Sequence, residues 1–174
     1  MKDKDLSSKQ KNQKPSITRN KKVAILGKLN TKFKAPFDDK TWDIWSINKR
    51  AMENTPPRVD KWFDMHFKPF SAGQDFTREN FPFDEVDKML GGHYINNTVS
   101  HVIAYAILQG YEEIALYGMR FDNPAEIKVG QYHNVRELIF FAKGKGIKVT
   151  APYDSVMVQE YPAYTKEYVK NKPQ

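Results

Sequence analysis

The sequence predicts an α/β fold, a single Rossmann-like three-layer domain built on a mostly parallel sheet of about five strands. Short apolar runs closed by glycine or proline recur along the chain, and two stretches of helical period lie between the later ones. The resulting order is strand, strand, strand, helix, strand, helix, strand, which is how crossover units cover a parallel sheet.

The first strand is Lys22-Val23-Ala24-Ile25-Leu26-Gly27, a continuous apolar run of the kind buried on both faces. Trp42 to Asn48 alternates Trp42, Ile44 and Ser46 with Asp43, Trp45 and Ile47 and is rich in strand formers. Val59 to His66 follows the Pro56-Pro57 break as a third strand, and Lys68 to Pro82 reads as a turn-rich insertion. Val99, Val102, Ile103, Ala106 and Ile107 fall on one helical face, so the spacing predicts a helix over 98–109, stopped by Gly110 and capped by Asn97 or Thr98. Glu113 to Tyr117 is a second buried strand ending at Gly118. Val135, Leu138, Ile139 and Ala142 predict a helix over 131–143, and Ile147 to Thr150 is the last strand, closed by Pro152.

The chain has 174 residues, no cysteine, and a net charge of +7. Residues 1–22 hold seven Lys, one Arg and two Asp, so nearly all of the excess charge sits in this segment. With Leu6 and Ile17 as its only aliphatics after Met1, the segment cannot repay its ordering entropy and is expected to be a disordered basic tail. Such a tail gives either weak contact with nucleic acid or a solubilising extension. The domain proper is expected over 23–158. Residues 159–174 form an extension with Tyr161, Tyr164 and Tyr168 at helical spacing. No run approaches the ~18 apolar residues of a membrane helix, and no signal-peptide core is present. A cytoplasmic chain without membrane contact is the expectation, with its oligomeric state open.

In an open parallel sheet, ligands sit beyond the carboxyl ends of the strands where strand order reverses. The Gly27-Lys28-Leu29-Asn30 turn has one glycine where a dinucleotide fingerprint requires three, which excludes a standard NAD site. Gly27 and Asn30 can face a ribose or base, or Gly27 can simply end a strand. Asn97 and Thr98 stand at a helix start, where free amides and the helix dipole favour an anion, although capping alone would also place them there. Thr98, His101 and Tyr105 share the polar side of that helix, and His101 reads as a surface or inter-helix residue. Arg136, one turn from Tyr132, can clamp a phosphate or pair with a nearby carboxylate. Asp64, His66, Asp122 and His133 are residue types able to hold Mg²⁺ bridging phosphates, but their spacing matches no metal signature and no protein-held metal is assigned. Trp42, Trp45 and Trp62 read as core or core-edge residues. Nucleophile-elbow, P-loop and zincin motifs are absent from the sequence.

The segments Trp45-Ser46-Ile47-Asn48, Trp62-Phe63-Asp64-Met65-His66, Asn97-Thr98-Val99-Ser100 and Gly110 to Gly118 come in an order that resembles a family of small Rossmann-like proteins of tailed bacteriophages. Gln131-Tyr132 with Arg136, then Gly146-Ile147-Lys148-Val149 and Pro152 before Ser155, extend the resemblance over about residues 23–158. Those proteins are in turn similar to the MptE-like group of 6-hydroxymethylpterin diphosphokinase-like, motility-accessory and sialyltransferase-like proteins. The resemblance implies a nucleotide or nucleotide-sugar site over the sheet, with Asn97 and Thr98 on phosphates and Asn48, His66 and the Gly118 loop around it. Where those relatives continue Tyr-Gly with Val-Asp, this chain has Met119-Arg120, and the next acid is Asp122. Arg120 suits an anionic ligand without a metal.

These readings lead to a protein that binds a nucleotide, nucleotide-sugar or other phosphorylated small molecule, with or without group transfer of glycosyl or diphosphoryl type. In the transfer case Arg120, Arg136 and the helix start neutralise charge, His66 is the candidate acid or base, and Asp122 is the other candidate catalytic residue. The alternative is a non-catalytic accessory or sequestering protein acting on nucleic acid, a signalling nucleotide or a host protein.

Overall fold

A computed structural model describes residues 21–49, 54–68, 73–92, 95–120 and 130–152. Its strands are β1 (Lys22–Leu26), β2 (Trp42–Ile47), β3 (Lys61–Asp64), β4 (Phe76–Thr77), β5 (Glu113–Tyr117) and β6 (Lys148–Thr150). The helices are α1 (Phe83–Leu90), α2 (Thr98–Leu108) and α3 (Gln131–Gly144), and a 3-10 turn spans Asn30–Lys34. The strands form one sheet in the order β4-β3-β2-β1-β5-β6, and every adjacent pair is parallel. From β1 the chain moves outward one way through β2, β3 and β4, then returns to β5 on the other side of β1 and continues to β6. Strand order therefore reverses between β1 and β5.

The fold is the α/β Rossmann-like arrangement expected, with six strands instead of five. The sixth, β4, falls in the Lys68–Pro82 stretch and pairs Phe76 with Phe63 and Thr77 with Asp64. Two residues are too few to show a period, and Phe76 is held by stacking on Phe63 with ring centroids 4.8 Å apart, a contact only the folded chain makes. Helix α1 was also not anticipated, although Pro82 precedes it, Val86, Met89 and Leu90 lie on one side, and Gly91 closes it in a left-handed conformation.

Alternation along the strands divides the core in two. Val23, Ile25, Trp45, Ile47, Phe63, Ile114 and Leu116 belong to the large cluster with α1, α2 and α3. Ala24, Leu26 and Ile44 face the other way, onto Ala35 and Phe37. Among the described residues this second face is covered by the 3-10 turn and its continuation, so the third layer is thin there. Helix α2 is the central support, with nine of its eleven residues buried. It has no solvent-facing polar side of the kind its sequence suggests: Thr98 and His101 are both buried. Trp45 anchors the sheet under it, with ring centroids 5.4 Å from Phe63, 5.5 Å from Tyr105 and 5.0 Å from Tyr111. Lys21 and Lys22, the last residues of the expected tail, belong to the sheet: the Lys21 carbonyl accepts the Glu112 and Glu113 amides, and Lys22 opens β1.

The ends of β1 and β5 are tied by backbone. The Gly27 amide donates to the Tyr117 carbonyl at 2.7 Å, and the Leu29 amide donates to the Gly118 carbonyl at 3.0 Å. A Cβ on Gly27 would lie 2.3 Å from the Gly118 carbonyl oxygen, and Gly118 itself has φ +65° with the Leu29 carbonyl oxygen 2.7 Å from where its Cβ would stand. Gly118→Ala should therefore lower unfolding free energy by at least ~1–2 kcal/mol, the left-handed cost of an L residue alone, read as an earlier midpoint in urea.

Tyr111 donates its hydroxyl to Asp43 and is largely buried; burial first, then the hydrogen bond to Asp43 and the Asp43 charge, push its pKa above the ordinary phenol value. Its neutral form is thus favoured by folding, and the contribution is complete below the unfolded pKa of about 10 and is lost as pH rises beyond it. Stability of the native chain should fall more steeply above pH ~10 than that of Tyr111→Phe, in denaturant melts across that range.

Candidate functional site

A cleft of about 640 Å³ opens beyond the carboxyl ends of the strands, at the reversal of strand order. This is the size and place expected of a small-molecule site in an open α/β sheet. The loop after β1 supplies Gly27, Lys28 and Leu29, and the loop after β5 supplies Gly118, Met119 and Arg120. Asn48 follows β2, Met65 and His66 follow β3, and Arg78 follows β4. The start of α2 closes the floor with Asn97, Thr98 and Val99.

The Gly27 loop can approach the cleft because glycine lets it rest on Gly118. Lys32, fully buried, donates from Nζ to the Lys28 carbonyl at 3.0 Å and lies 4.9 Å from the Phe33 ring centroid, which pins the turn that carries Lys28. Asn30 opens the 3-10 turn and does not line the cleft.

Helix α2 enters the cleft with its N-terminus. The Asn97 side chain accepts the Ser100 amide at 3.0 Å and donates to Ser100 Oγ at 2.8 Å, so the cap is made. Asn134 of α3 holds this entry by accepting the Asn96 amide at 3.1 Å. His101 is bonded through Nδ1 to the Asn97 carbonyl at 2.8 Å, and Thr98 Oγ accepts the Met65 amide at 3.4 Å. What remains are the Thr98 and Val99 amides, first in the helix and without an acceptor in the helix's own hydrogen-bond ladder. Helix dipole and amides together make this a place of positive potential.

Asn48 supplies an independent sign. It adopts φ 49°, the left-handed region, and is 6% exposed. Its amide is satisfied by the Phe63 carbonyl at 2.8 Å, yet its side-chain Oδ1 is buried with no hydrogen-bond partner. A buried acceptor left unpaired costs about 1–3 kcal/mol, and one lining a cleft is open to a donor from a ligand or from water.

Among the described residues, the fixed charge lining the cleft is cationic. Lys28, Arg78 and Arg120 line it, and among the described residues no Asp or Glu does. Asp64 is fully buried beneath His66, and its Oδ1 accepts both the His66 amide at 3.1 Å and His66 Nδ1 at 2.6 Å. A carboxylate acceptor makes Nδ1 the donor of this pair, and in a neutral imidazole so held the lone pair is on Nε2.

Arg136, one of the expected ligand residues, donates from Nη1 to the Tyr132 hydroxyl at 3.0 Å and lies 5.4 Å from the Phe140 ring centroid; it does not line the cleft. Asp122 lies outside the described residues. His133 contacts the Tyr132 ring, and among the described residues no three His, Asp or Glu side chains come together as a metal cluster. Sequence reading did not find Arg78, which sits in the stretch taken for turns, nor the roles of Lys32 and Asn134. A cation two residues after an aromatic, as in Phe76-Thr77-Arg78, was the available signal.

No family model matches the sequence. Two solved structures of the sialyltransferase CST-II resemble the chain distantly. One is a variant in complex with CMP, at 13% identity and TM-score 0.41; the other holds a trisaccharide acceptor and CMP, at 13% identity and TM-score 0.42. Each alignment covers 79% of this chain and 83% of the other. The likeness is one of chain trace.

Asn48→Gly removes both the unpaired oxygen and the left-handed cost of a side chain. It should leave unfolding free energy unchanged or raise it by up to ~1 kcal/mol, measured by chemical denaturation. A clear loss of stability would make Asn48 a structural residue and not a ligand contact.

Proposed function

We propose that the cleft binds a nucleotide, nucleotide-sugar or other phosphorylated small molecule, with the phosphate on the Thr98 and Val99 amides. The observation that supports this most directly is the charge of the lining, to which Lys28, Arg78 and Arg120 all contribute. In a partly enclosed site these cations are screened less than on an open surface, so they favour an anion strongly. Asn48 Oδ1 adds an acceptor for a hydroxyl or amine of the same ligand. Gly27, Gly118, Asn97 and Thr98 shape the backbone around it, and His66 held by Asp64 is the group suited to proton transfer if the bound ligand reacts. A cytoplasmic protein of the tailed-phage Rossmann-like type, with residues 1–22 as a weak polyanion contact, is the setting this reading fits.

Thermal unfolding with pyrophosphate, ribose 5-phosphate and nucleoside monophosphates, each with Mg²⁺ or with EDTA, tests the reading. A ligand at 100 times its dissociation constant should add about 2.7 kcal/mol. Binding should persist in EDTA, because Lys28, Arg78 and Arg120 supply the countercharge. Arg120→Ala should weaken it by ~10- to 150-fold, the range for a hydrogen bond to a charged group. Absence of stabilisation by every phosphorylated probe in folded protein would overturn the proposal.

A further inference from the structure

Phe67 is 87% exposed, far more than any other large apolar side chain among the described residues; Phe140, the next, is 51% exposed. Its position is not arbitrary. It directly follows His66, which lines the cleft, and its ring lies 4.7 Å from the guanidinium of Arg78, which lines the cleft from the neighbouring strand end. Phenylalanine left in water forgoes the stabilisation that burial of its ring would bring. Among the described residues of the neighbouring sequence, Phe63 and Phe81 are in the core and Phe76 and Phe83 pack against it. The Arg78 guanidinium adds a second planar group, attracted to the ring face.

We propose that Phe67 and Arg78 form a stacking platform for the aromatic base of a nucleotide whose phosphate lies at the start of α2. This rests on the cleft reading above and narrows it, from phosphorylated small molecules in general to those carrying a planar heterocycle. Arg78 belongs to both parts of the site, since it lines the anionic cleft and lies against the ring. A phenyl face and a guanidinium plane recognise the π-face that every base has, and they discriminate weakly among bases. Preference for one base would then fall to groups that hydrogen-bond its edge, and Asn48 Oδ1, buried and unpaired, is an acceptor in the same cleft.

The platform is tested by equilibrium binding of AMP, GMP, CMP and UMP against ribose 5-phosphate and pyrophosphate, with the full chain and with Phe67→Ala and Phe67→Trp. Because Phe67 is on the surface, neither variant should alter the unfolding midpoint. The expected result is that the nucleotides bind at least fivefold more tightly than ribose 5-phosphate, that Phe67→Ala removes this advantage while leaving pyrophosphate binding unchanged, and that Phe67→Trp keeps it. Equal binding of nucleotides and ribose 5-phosphate, unchanged in Phe67→Ala, would overturn the platform and leave the anion cleft standing. No binding by any probe would overturn the cleft reading and the platform with it.

Discussion

The contact between the loops after β1 and β5 is the constraint on which the rest of the molecule depends. Gly27 and Gly118 approach so closely that neither can carry a Cβ without moving backbone, and two backbone hydrogen bonds close the gap. At the point where strand order reverses, β1 and β5 are paired along their whole length, and the two halves of the chain leave them in opposite directions. Glycine at both positions lets the halves meet without a side chain between them. The space just above this contact is then walled by both loops, which is why Lys28 and Arg120, distant in sequence, line the same cleft.

Helix α2 carries the second half of that architecture. It is buried almost all round, so its direction is set by packing against the sheet, α1 and α3, and its N-terminus has no freedom to turn away from the strand ends. Asn134 and Asn97 consume the polar groups that would otherwise compete at the entry. The two leading amides are left over, and polar groups left over at the mouth of a cleft are stabilised by a ligand or by water.

Asn48 and the Asp64–His66 pair are local costs in stability. A left-handed, non-glycine residue with an unpaired buried oxygen is a local cost. The burial of the Asp64 carboxylate is tolerated because it accepts two hydrogen bonds from His66. Neither arrangement improves the core, and both place a polar group at the carboxyl end of a strand.

Much of the architecture was legible in sequence because it rests on local periodicity. The apolar runs ending at Gly27 and Gly118, and the helical spacing of Val99 to Ile107, place strands and helices with their ends. The strand-end rule then led to Gly27, Asn48, His66 and Arg120, and the helix start to Thr98, all of which the structure brings to one cleft. What tertiary structure alone decided depends on contacts between distant segments. β4 exists through its pairing with β3, and Arg78 reaches the cleft because that pairing carries it there. Arg136 was credible as a phosphate clamp from its place at a helix start, yet the direction of α3 sets it against Tyr132 and Phe140 instead. Periodicity reports which face of an element is buried; it holds no information on where that element points once it is packed, and a binding site is made of such directions.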